Sequence, residues 1–269
     1  MSSLYFYKPC FGNPLAGKQD IFLLVLMKAQ SIKFSGQRAD FFSTLNQRVN
    51  DYFKDKGINR YANTEMKIKT VFMFVLYFTP YFWLLSGTIT NTWAMLGLCV
   101  IMGLGVAGIG LSIMHDANHG SYSGKKWVNQ LLGYSLNVVG GNAFNWKIQH
   151  NVLHHTYTNI FEVDEDISPR GVLRMTPYEK WKVIHQFQYI YAWFLYGLMT
   201  LVWILAKDYV RIANYHREGH IKRQKANFAT ELVILLITKL VYFGYIMVIP
   251  MLVLSITFWQ WLIGFLVMQ

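Results

Sequence analysis

The sequence is poor in cysteine and in charged residues, and each shortage excludes a class of protein. Only two of its 269 residues are cysteine, and 14% are charged, whereas 54% are hydrophobic and 17% are aromatic. Cys10 and Cys99 lie far apart, and Cys99 lies inside an apolar run, so we expect neither a disulfide framework nor a thiolate metal site. The apolar residues exceed those of a soluble globular protein, and we expect part of their surface to contact lipid.

Acidic residues are also scarce, because 14 Asp and Glu residues accompany 25 Lys and Arg residues, for a formal net charge of +11. A basic balance can indicate a nucleic-acid-binding protein, but these basic residues lie beside apolar runs and form no separate basic domain. We therefore expect no nucleic-acid partner. The positive charge is better explained by orientation in a membrane.

The amino terminus lacks both a basic leader and a small-residue cleavage site, so no signal peptide is expected. Residues 1–27 are interpreted as an uncertain N-terminal extension, since translation could start at Met1 or at Met27. Farther along, apolar residues recur at helical spacing between Asp40 and Lys56. This predicts an amphipathic helix that either packs on its own protein or lies in the headgroup layer of a membrane.

Long apolar runs predict an all-α integral membrane protein with two transmembrane helical hairpins, interfacial helices and a cytoplasmic histidine-rich cap. A turn is expected at Pro250, between the two spans of the second hairpin. The four predicted spans are residues 71–87, 91–114, 231–249 and 251–269. Lys239 in the third span is expected to snorkel or to pack against protein.

The apolar run at 189–206 is of marginal length for a crossing. If it crossed the bilayer, the basic stretch at 207–225 would lie outside, against the positive-inside rule. We therefore interpret 189–206 as re-entrant or interfacial. The same rule places the amino terminus and the end of the second span on the cytoplasmic side.

Five of the eight histidines form two clusters, HDANH at 115–119 and HNVLHH at 150–155. Each cluster contains two histidines four residues apart, which on an α-helix face one way with Cβ atoms about 5–6 Å apart. His155 is rotated by about 100° from His154, a direction suited to a second ion. The first cluster follows the second span, so a metal there would lie at the cytoplasmic face of the membrane.

The number of histidines favours two metal ions, because a tetrahedral zinc site uses three or four protein ligands. The HDANH cluster lacks the Glu of the HExxH pattern of zinc proteases, which weighs against metal-assisted hydrolysis. His185, His216 and His220 are interpreted singly as structural residues. An auxiliary ligand role for His185 is the alternative.

The two clusters resemble the histidine boxes of the membrane fatty-acid desaturases, nearest to the front-end acyl-CoA or acyl-lipid type. HDANHG at 115–120 is similar to the first box, and WKIQHNVLHH at 146–155, followed by Thr158-Asn159 and DEDI at 164–167, is similar to the second. The family has a third box of the form QxxHH or HxxHH, which nothing here matches. Residues 28–269 are therefore interpreted as a partial desaturase domain that, alone, would bind iron incompletely or not at all.

The resemblance implies a centre of two iron ions with O2 as co-substrate, which inserts a double bond into an acyl-CoA or lipid-linked acyl chain. Electrons would come from a separate donor of the cytochrome b5 or ferredoxin type, because no haem-binding HPGG segment occurs. The implied metal ligands are His115, His119, His150, His154 and His155.

Several residues near the clusters could hydrogen-bond an imidazole or, equally well, cap a helix or face solvent. These candidates are Asp116, Asn118, Asn151 and Asn159. The resemblance adds Asp164 and Asp166 as orienting groups. Trp146 is expected either to line an acyl tunnel or to pack.

Three alternatives to a desaturase remain open. A membrane hydroxylase or monooxygenase would share the same centre and the first hydrogen abstraction. A metal-ion transporter would carry its histidine pairs inside the spans, whereas here they follow them. The third alternative is a non-catalytic membrane protein that lacks the third box.

Overall fold

The computed structural model describes Ile32 and residues 39–161, 163–167 and 172–269. The expected extension at 1–27 lies outside these residues. The described part is helical throughout and contains no strand, so the predicted all-α class is confirmed.

Among the residues that the structure describes, four helices are long and apolar enough to cross a membrane. They are α2 (Thr64–Leu85), α3 (Thr92–Asn118), α7 (Val183–Arg217) and α9 (Phe228–Val253). The remaining helices are α1 (Ala39–Asp55), α4 (Lys126–Gly133), α5 (Ser135–Val138), α6 (Ala143–Lys147), α8 (His220–Arg223) and α10 (Phe258–Met268). Together they form the predicted membrane fold of hairpins and shorter helices.

The first hairpin packs closely because α3 offers glycine where α2 approaches it. A Cβ added at Gly105 would lie 2.8 Å from the backbone nitrogen of Tyr77, and one at Gly108 would meet the Met73 side chain. On another side of α3, a Cβ at Gly103 would lie 2.8 Å from the Met268 carbonyl oxygen of α10. Small residues thus allow α3 to pack against both α2 and α10, which is how helices associate in lipid.

The second hairpin differs from its prediction, because α9 continues through Pro250 and the turn comes only after Val253. A proline inside a helix leaves the carbonyl four residues earlier without its backbone donor. That carbonyl belongs to Ile246, and it accepts a hydrogen bond of 2.8 Å from the Trp261 indole of α10. The turn predicted at Pro250 is therefore wrong. The predicted fourth span, 251–269, is replaced by the shorter helix α10, which begins only at Phe258.

The run at 189–206 was predicted to be re-entrant or interfacial; its continuous helix does not fit a re-entrant turn, and the interfacial alternative stays a prediction. The run lies inside α7, a continuous helix of 35 residues with no intervening turn. Its middle contains a π-helical stretch, Trp203–Lys207, where the helix widens without breaking. The basic residues that follow 206 begin on this same helix.

Helix α1 coincides with the predicted amphipathic helix. Its large apolar side chains are exposed, among them Phe41 and Phe42 at 64% and 66%. The alternative in which α1 packs on its own protein is therefore wrong for the residues that the structure describes. The exposed apolar face fits the headgroup layer of a membrane.

A buried ion pair joins α7 to α9. The Lys239 ammonium lies 2.7 Å from Oδ2 of Asp208, and both side chains are almost completely buried. Lys239 also donates to the Gly140 carbonyl, while Asp208 accepts from the Trp203 indole at 2.9 Å and from the Asn145 amide at 3.3 Å. Lys239 thus packs against protein, as expected, and no longer needs to reach the membrane surface.

Removing the cation should strongly destabilise the fold. Lys239→Met leaves the Asp208 carboxylate buried without its charge partner, and breaking a buried pair in this way costs about 3–5 kcal/mol. We expect a clear loss of thermal stability of the detergent-solubilised protein, followed by circular dichroism at 222 nm. Lys222→Met, which removes an exposed lysine, is the matched control, and equal stability of the two variants would contradict the assignment.

Candidate metal centre

The first histidine cluster closes helix α3. A π-helical stretch, Ile109–Met114, immediately precedes His115, and the helix ends with His119 at its C-cap. The ring centroids of His115 and His119 lie 4.6 Å apart, so the two imidazoles face the same way as predicted from their spacing. π-Helical turns inside longer helices are frequent at functional sites.

The second cluster lies on a π-helix, Ile148–His154, and not on the predicted α-helix. The π-helix follows directly on α6 and pairs residues five apart through its hydrogen bonds. His150 and His154 still stack, with ring centroids 5.2 Å apart. Nε2 of His155 lies 3.2 Å from Nε2 of His150. The rings of His154 and His155 are 5.4 Å apart and inclined by 69°, and the role of His155 toward a second ion stays a prediction.

The two clusters converge. The ring centroid of His150 lies 5.2 Å from those of both His115 and His119, and the ring of His119 lies 4.8 Å from that of His155. One ring nitrogen from each of His115, His119 and His150 falls within 4.8 Å of the other two. Segments about 30 residues apart in sequence thus supply one group of imidazoles.

The spacing of these nitrogens fits metal ligation. For zinc, imidazole nitrogens bind at about 2.0–2.1 Å, so two of them on one ion lie about 3.0–3.4 Å apart. The 3.2 Å between the Nε2 atoms of His150 and His155 falls in this range. An all-imidazole set suits iron, copper, nickel or zinc equally, so the geometry fits a metal without naming it.

Two carboxylates lie against the second cluster. Both oxygens of Asp164, which is completely buried, lie 3.0–3.1 Å from Nδ1 of His154. Asp166 Oδ2 lies 3.4 Å from the same nitrogen and 3.7 Å from Nδ1 of His150. His150, His154 and Asp166 form a second group whose ligand atoms lie within 4.8 Å of one another.

Burial and the neighbouring imidazoles favour the neutral form of His119 and His150. Burial, followed by the neighbouring imidazoles His155, His119 and His115, lowers the pKa of His150 to about 4. The pKa of His119 is lowered for the same reasons. Neutral imidazole is the form that binds a metal, so both rings are ready to ligate at neutral pH.

For the Asp164 carboxyl, hydrogen bonds together have a larger effect on the pKa than burial. Burial raises its pKa, but the backbone N–H groups of Asn159 and Asp166 and the imidazole of His154 together outweigh burial and leave the pKa below its ordinary value. Asp164 is therefore ionised at neutral pH and can hold a proton on Nδ1 of His154. That tautomer leaves Nε2 of His154 available as a ligand.

Of the four side chains predicted to orient imidazoles, only Asp116 lies near a ring, at 3.5 Å from Nδ1 of His115. Asn151 donates to the Asn118 backbone carbonyl at 2.9 Å, which ties the second cluster to the first. Asn118 approaches the Gly133 carbonyl at 3.5 Å. Asn159 contributes its backbone N–H to Asp164 and adopts a left-handed φ of 62°.

Trp146 packs on the centre, stacking on His150 with ring centroids 4.4 Å apart. Its ring also lies 5.6 Å from that of His115 and 5.8 Å from that of His119. Gln149 was not predicted from the sequence, yet it donates to Asp166 at 2.6 Å. Its position directly before His150 was the only signal available.

The three isolated histidines make other contacts. Nδ1 of His185 accepts the Lys182 backbone N–H at the start of α7, and His216 stacks on Phe228 at 4.1 Å. His220 lies 3.3 Å from the Glu218 carboxylate. None of the three belongs to a potential metal-binding group among the residues described, so His185 gains no support as an auxiliary ligand.

Comparisons with known proteins agree with this arrangement. The chain is 34% identical over 228 residues to an sn-1 linoleoyl-lipid 6-desaturase of Synechocystis, an alignment that covers 84% of this chain and 62% of the relative. It is 33% identical over 211 residues to an acyl-lipid (8-3)-desaturase of Physcomitrium patens, covering 76% and 42%. A probable Delta(5) fatty acid desaturase C of Dictyostelium discoideum is 31% identical over 220 residues, covering 80% and 47%.

The alignments span about half the length of these curated relatives, from 42% to 62%. No solved structure matches the chain. The family model for fatty acid desaturases matches residues 91–269, which include α3, both histidine clusters and all later helices. This chain therefore belongs to the fatty acid desaturase family.

Proposed function

We propose that this chain supplies metal ligands and membrane helices to an O2-dependent desaturase that introduces a double bond into a fatty acyl chain. The observation that carries the proposal is the convergence of imidazoles from two clusters at the end of α3. The names of the relatives favour an acyl chain attached to a membrane lipid, with acyl-CoA as the alternative.

Five histidines would hold a pair of iron ions in this proposal: His115, His119, His150, His154 and His155. Bound iron would supply the redox chemistry that unactivated methylene groups require, with electrons from a separate donor of the cytochrome b5 or ferredoxin type. Asp164 would keep Nδ1 of His154 protonated, so that its Nε2 stays available. Trp146 would limit the access of water to His150 by covering one face of the ring.

An apolar groove is a candidate binding surface for an acyl chain. The groove is open on one side, has a volume of about 610 Å³ between α2, α5 and α9, and has an almost wholly apolar lining. Its walls include Phe78, Phe82, Tyr134, Val138 and Val241. Ligand pockets for apolar molecules typically have volumes of about 300–1,000 Å³.

The positive-inside rule supports a cytoplasmic site. Basic residues precede α2 and continue from the end of α7 toward α9. The end of α7 contacts the segment beside the second histidine cluster through Arg211 and Glu165, so these basic residues and the histidines lie on one side of the membrane, which requires α7 to lie in the interface instead of crossing it. We propose that the amino terminus and the histidine clusters face the cytoplasm, where a soluble or membrane-anchored electron donor can reach them.

Of the two outcomes expected from the sequence, incomplete iron binding or none, the converging histidines favour incomplete binding, so the purified chain should retain some ferrous iron. His119→Ala removes the ring that lies near those of His115, His150 and His155, and we expect it to abolish most of the iron bound under anaerobic conditions. Iron per chain, measured by mass spectrometry of the metal after gel filtration, gives the result. His216→Ala, outside the clusters, should bind iron like the parent, and equal binding by both variants would contradict the proposal.

Asp164→Asn should weaken iron binding without removing a ligand. The amide cannot match the carboxylate as an acceptor for the Nδ1 proton of His154, and removing such a partner typically costs 10–100-fold in metal affinity. A competition titration with a chromophoric chelator measures this change. Asp51→Asn on α1, an exposed acidic residue, is the control, and unchanged affinity in Asp164→Asn would exclude an orienting role for Asp164.

Expression of the open reading frame that encodes this chain should change the acyl chains of the host lipids. We expect a new alkene in fatty acid methyl esters analysed by gas chromatography with mass spectrometry, and its absence in a His150→Ala variant. A hydroxylated chain without an alkene would instead identify a hydroxylase with the same centre. Unchanged acyl chains in both would favour a non-catalytic protein.

A further inference from the structure

The acidic segment at 164–166 presents its three side chains in two directions. Asp164 contacts His154, and Asp166 lies against both His150 and His154. Glu165, between them, points instead toward α7. Glu165 and Asp166 belong to the short 3₁₀ turn Glu165–Ile167, in which successive side chains point about 120° apart, so Glu165 points away from Asp166.

Both oxygens of Glu165 have partners on α7. The Arg211 guanidinium forms an ion pair with Oε1, and the Tyr215 hydroxyl donates to Oε2 at 3.1 Å. The side chains of Arg211 and Glu165 are only 17% and 24% exposed, so solvent screens this pair less than a surface pair. Arg211 was grouped with the basic residues that orient the chain in the membrane, but here it binds a carboxylate of its own protein.

The part of α7 that carries Arg211 is itself held firmly. Asp208, three residues earlier, forms the buried pair with Lys239 and accepts from Asn145 on α6. On the same helix, Ile212 and Tyr215 are completely buried and form an apolar cluster with residues of the π-helix, including Ile148 and Leu153. Arg211 therefore lies on a segment of α7 that packs directly against the π-helix of the second histidine cluster.

We propose that Arg211, acting through Glu165, is a positioning residue for the two carboxylates that orient His150 and His154. The inference rests on the proposed function, since it concerns the alignment of metal-binding imidazoles. Arg211 fixes Glu165, and the flanking peptide bonds then hold Asp164 and Asp166 against the rings. Without this pair, the hydrogen bond from Tyr215 is what remains of the contact between Glu165 and α7 described above.

Metal binding by matched variants tests the positioning role. Arg211→Met removes the guanidinium, and Arg217→Met removes one from the exposed side of the same helix. In the purified chain, with Co²⁺ as a redox-stable substitute for Fe²⁺, we expect roughly 10-fold weaker binding and altered visible absorption bands for Arg211→Met, in line with losses of other groups that orient ligands. Arg217→Met should match the parent in both, and equal affinity and spectra for the two variants would overturn the proposal.

A double-mutant cycle tests whether Arg211 acts through Glu165. If Arg211 acts through Glu165, then Glu165→Gln should lose as much affinity as Arg211→Met, and the double variant should lose no more than either. Additive losses would overturn the route through Glu165. Glu165→Gln changes few atoms, so it decides the question if Arg211→Met fails to fold.

Hydrogen exchange separates this inference from the proposed function, because it needs no metal. The backbone N–H groups of Asn159 and Asp166 are bound to Asp164, and their segment should exchange several-fold faster in Arg211→Met than in Arg217→Met. Equal exchange would overturn the positioning role whether or not metal binds. Failure of the parent chain to bind Co²⁺ or Fe²⁺, with the difference in exchange intact, would overturn the proposed function and leave the attachment of the acidic segment to α7 supported.

Discussion

The convergence of imidazoles from two distant segments is the constraint on which the rest of this structure depends. Five rings that would repel one another if protonated lie together at the end of a membrane helix, and burial keeps the pKa of His150 near 4. Apolar side chains could fill the same space at lower cost, so folding alone does not call for such a group. We propose that a bound metal ion accounts for it.

The helices that carry the histidines are held in place by contacts that do not involve the histidines themselves. Helix α3 is placed by glycine contacts with α2 and α10, and the second cluster is placed by α6 and by the apolar contacts of α7. The buried pair of Asp208 and Lys239 links α7 and α9 to α6 through Asn145. Polar bonds inside a membrane fold are costly to break, so they suit a site whose rings must keep their positions.

The sequence was sufficient to predict the helical class, the first hairpin and the grouping of the five histidines. Both the length of an apolar run and the spacing of histidines can be read from neighbouring residues. The sequence could not reveal the π-helix that carries His150 and His154, since no composition rule distinguishes a π-turn from an α-turn. The path of α9 past Pro250 depends on Trp261, a residue of another helix. The partners of Lys239 and Arg211 are likewise distant in sequence, so neither internal ion pair could be predicted from the sequence.

X-ray absorption at the iron edge of the Fe²⁺-loaded chain tests the central claim most directly, because it reports the atoms bound to the metal. The account predicts several imidazole ligands per iron, recognised by the scattering of the outer ring atoms, with that signal reduced by substitutions in either cluster. Iron surrounded only by water or carboxylate oxygen, or an imidazole signal that responds to just one of the two clusters, would contradict it.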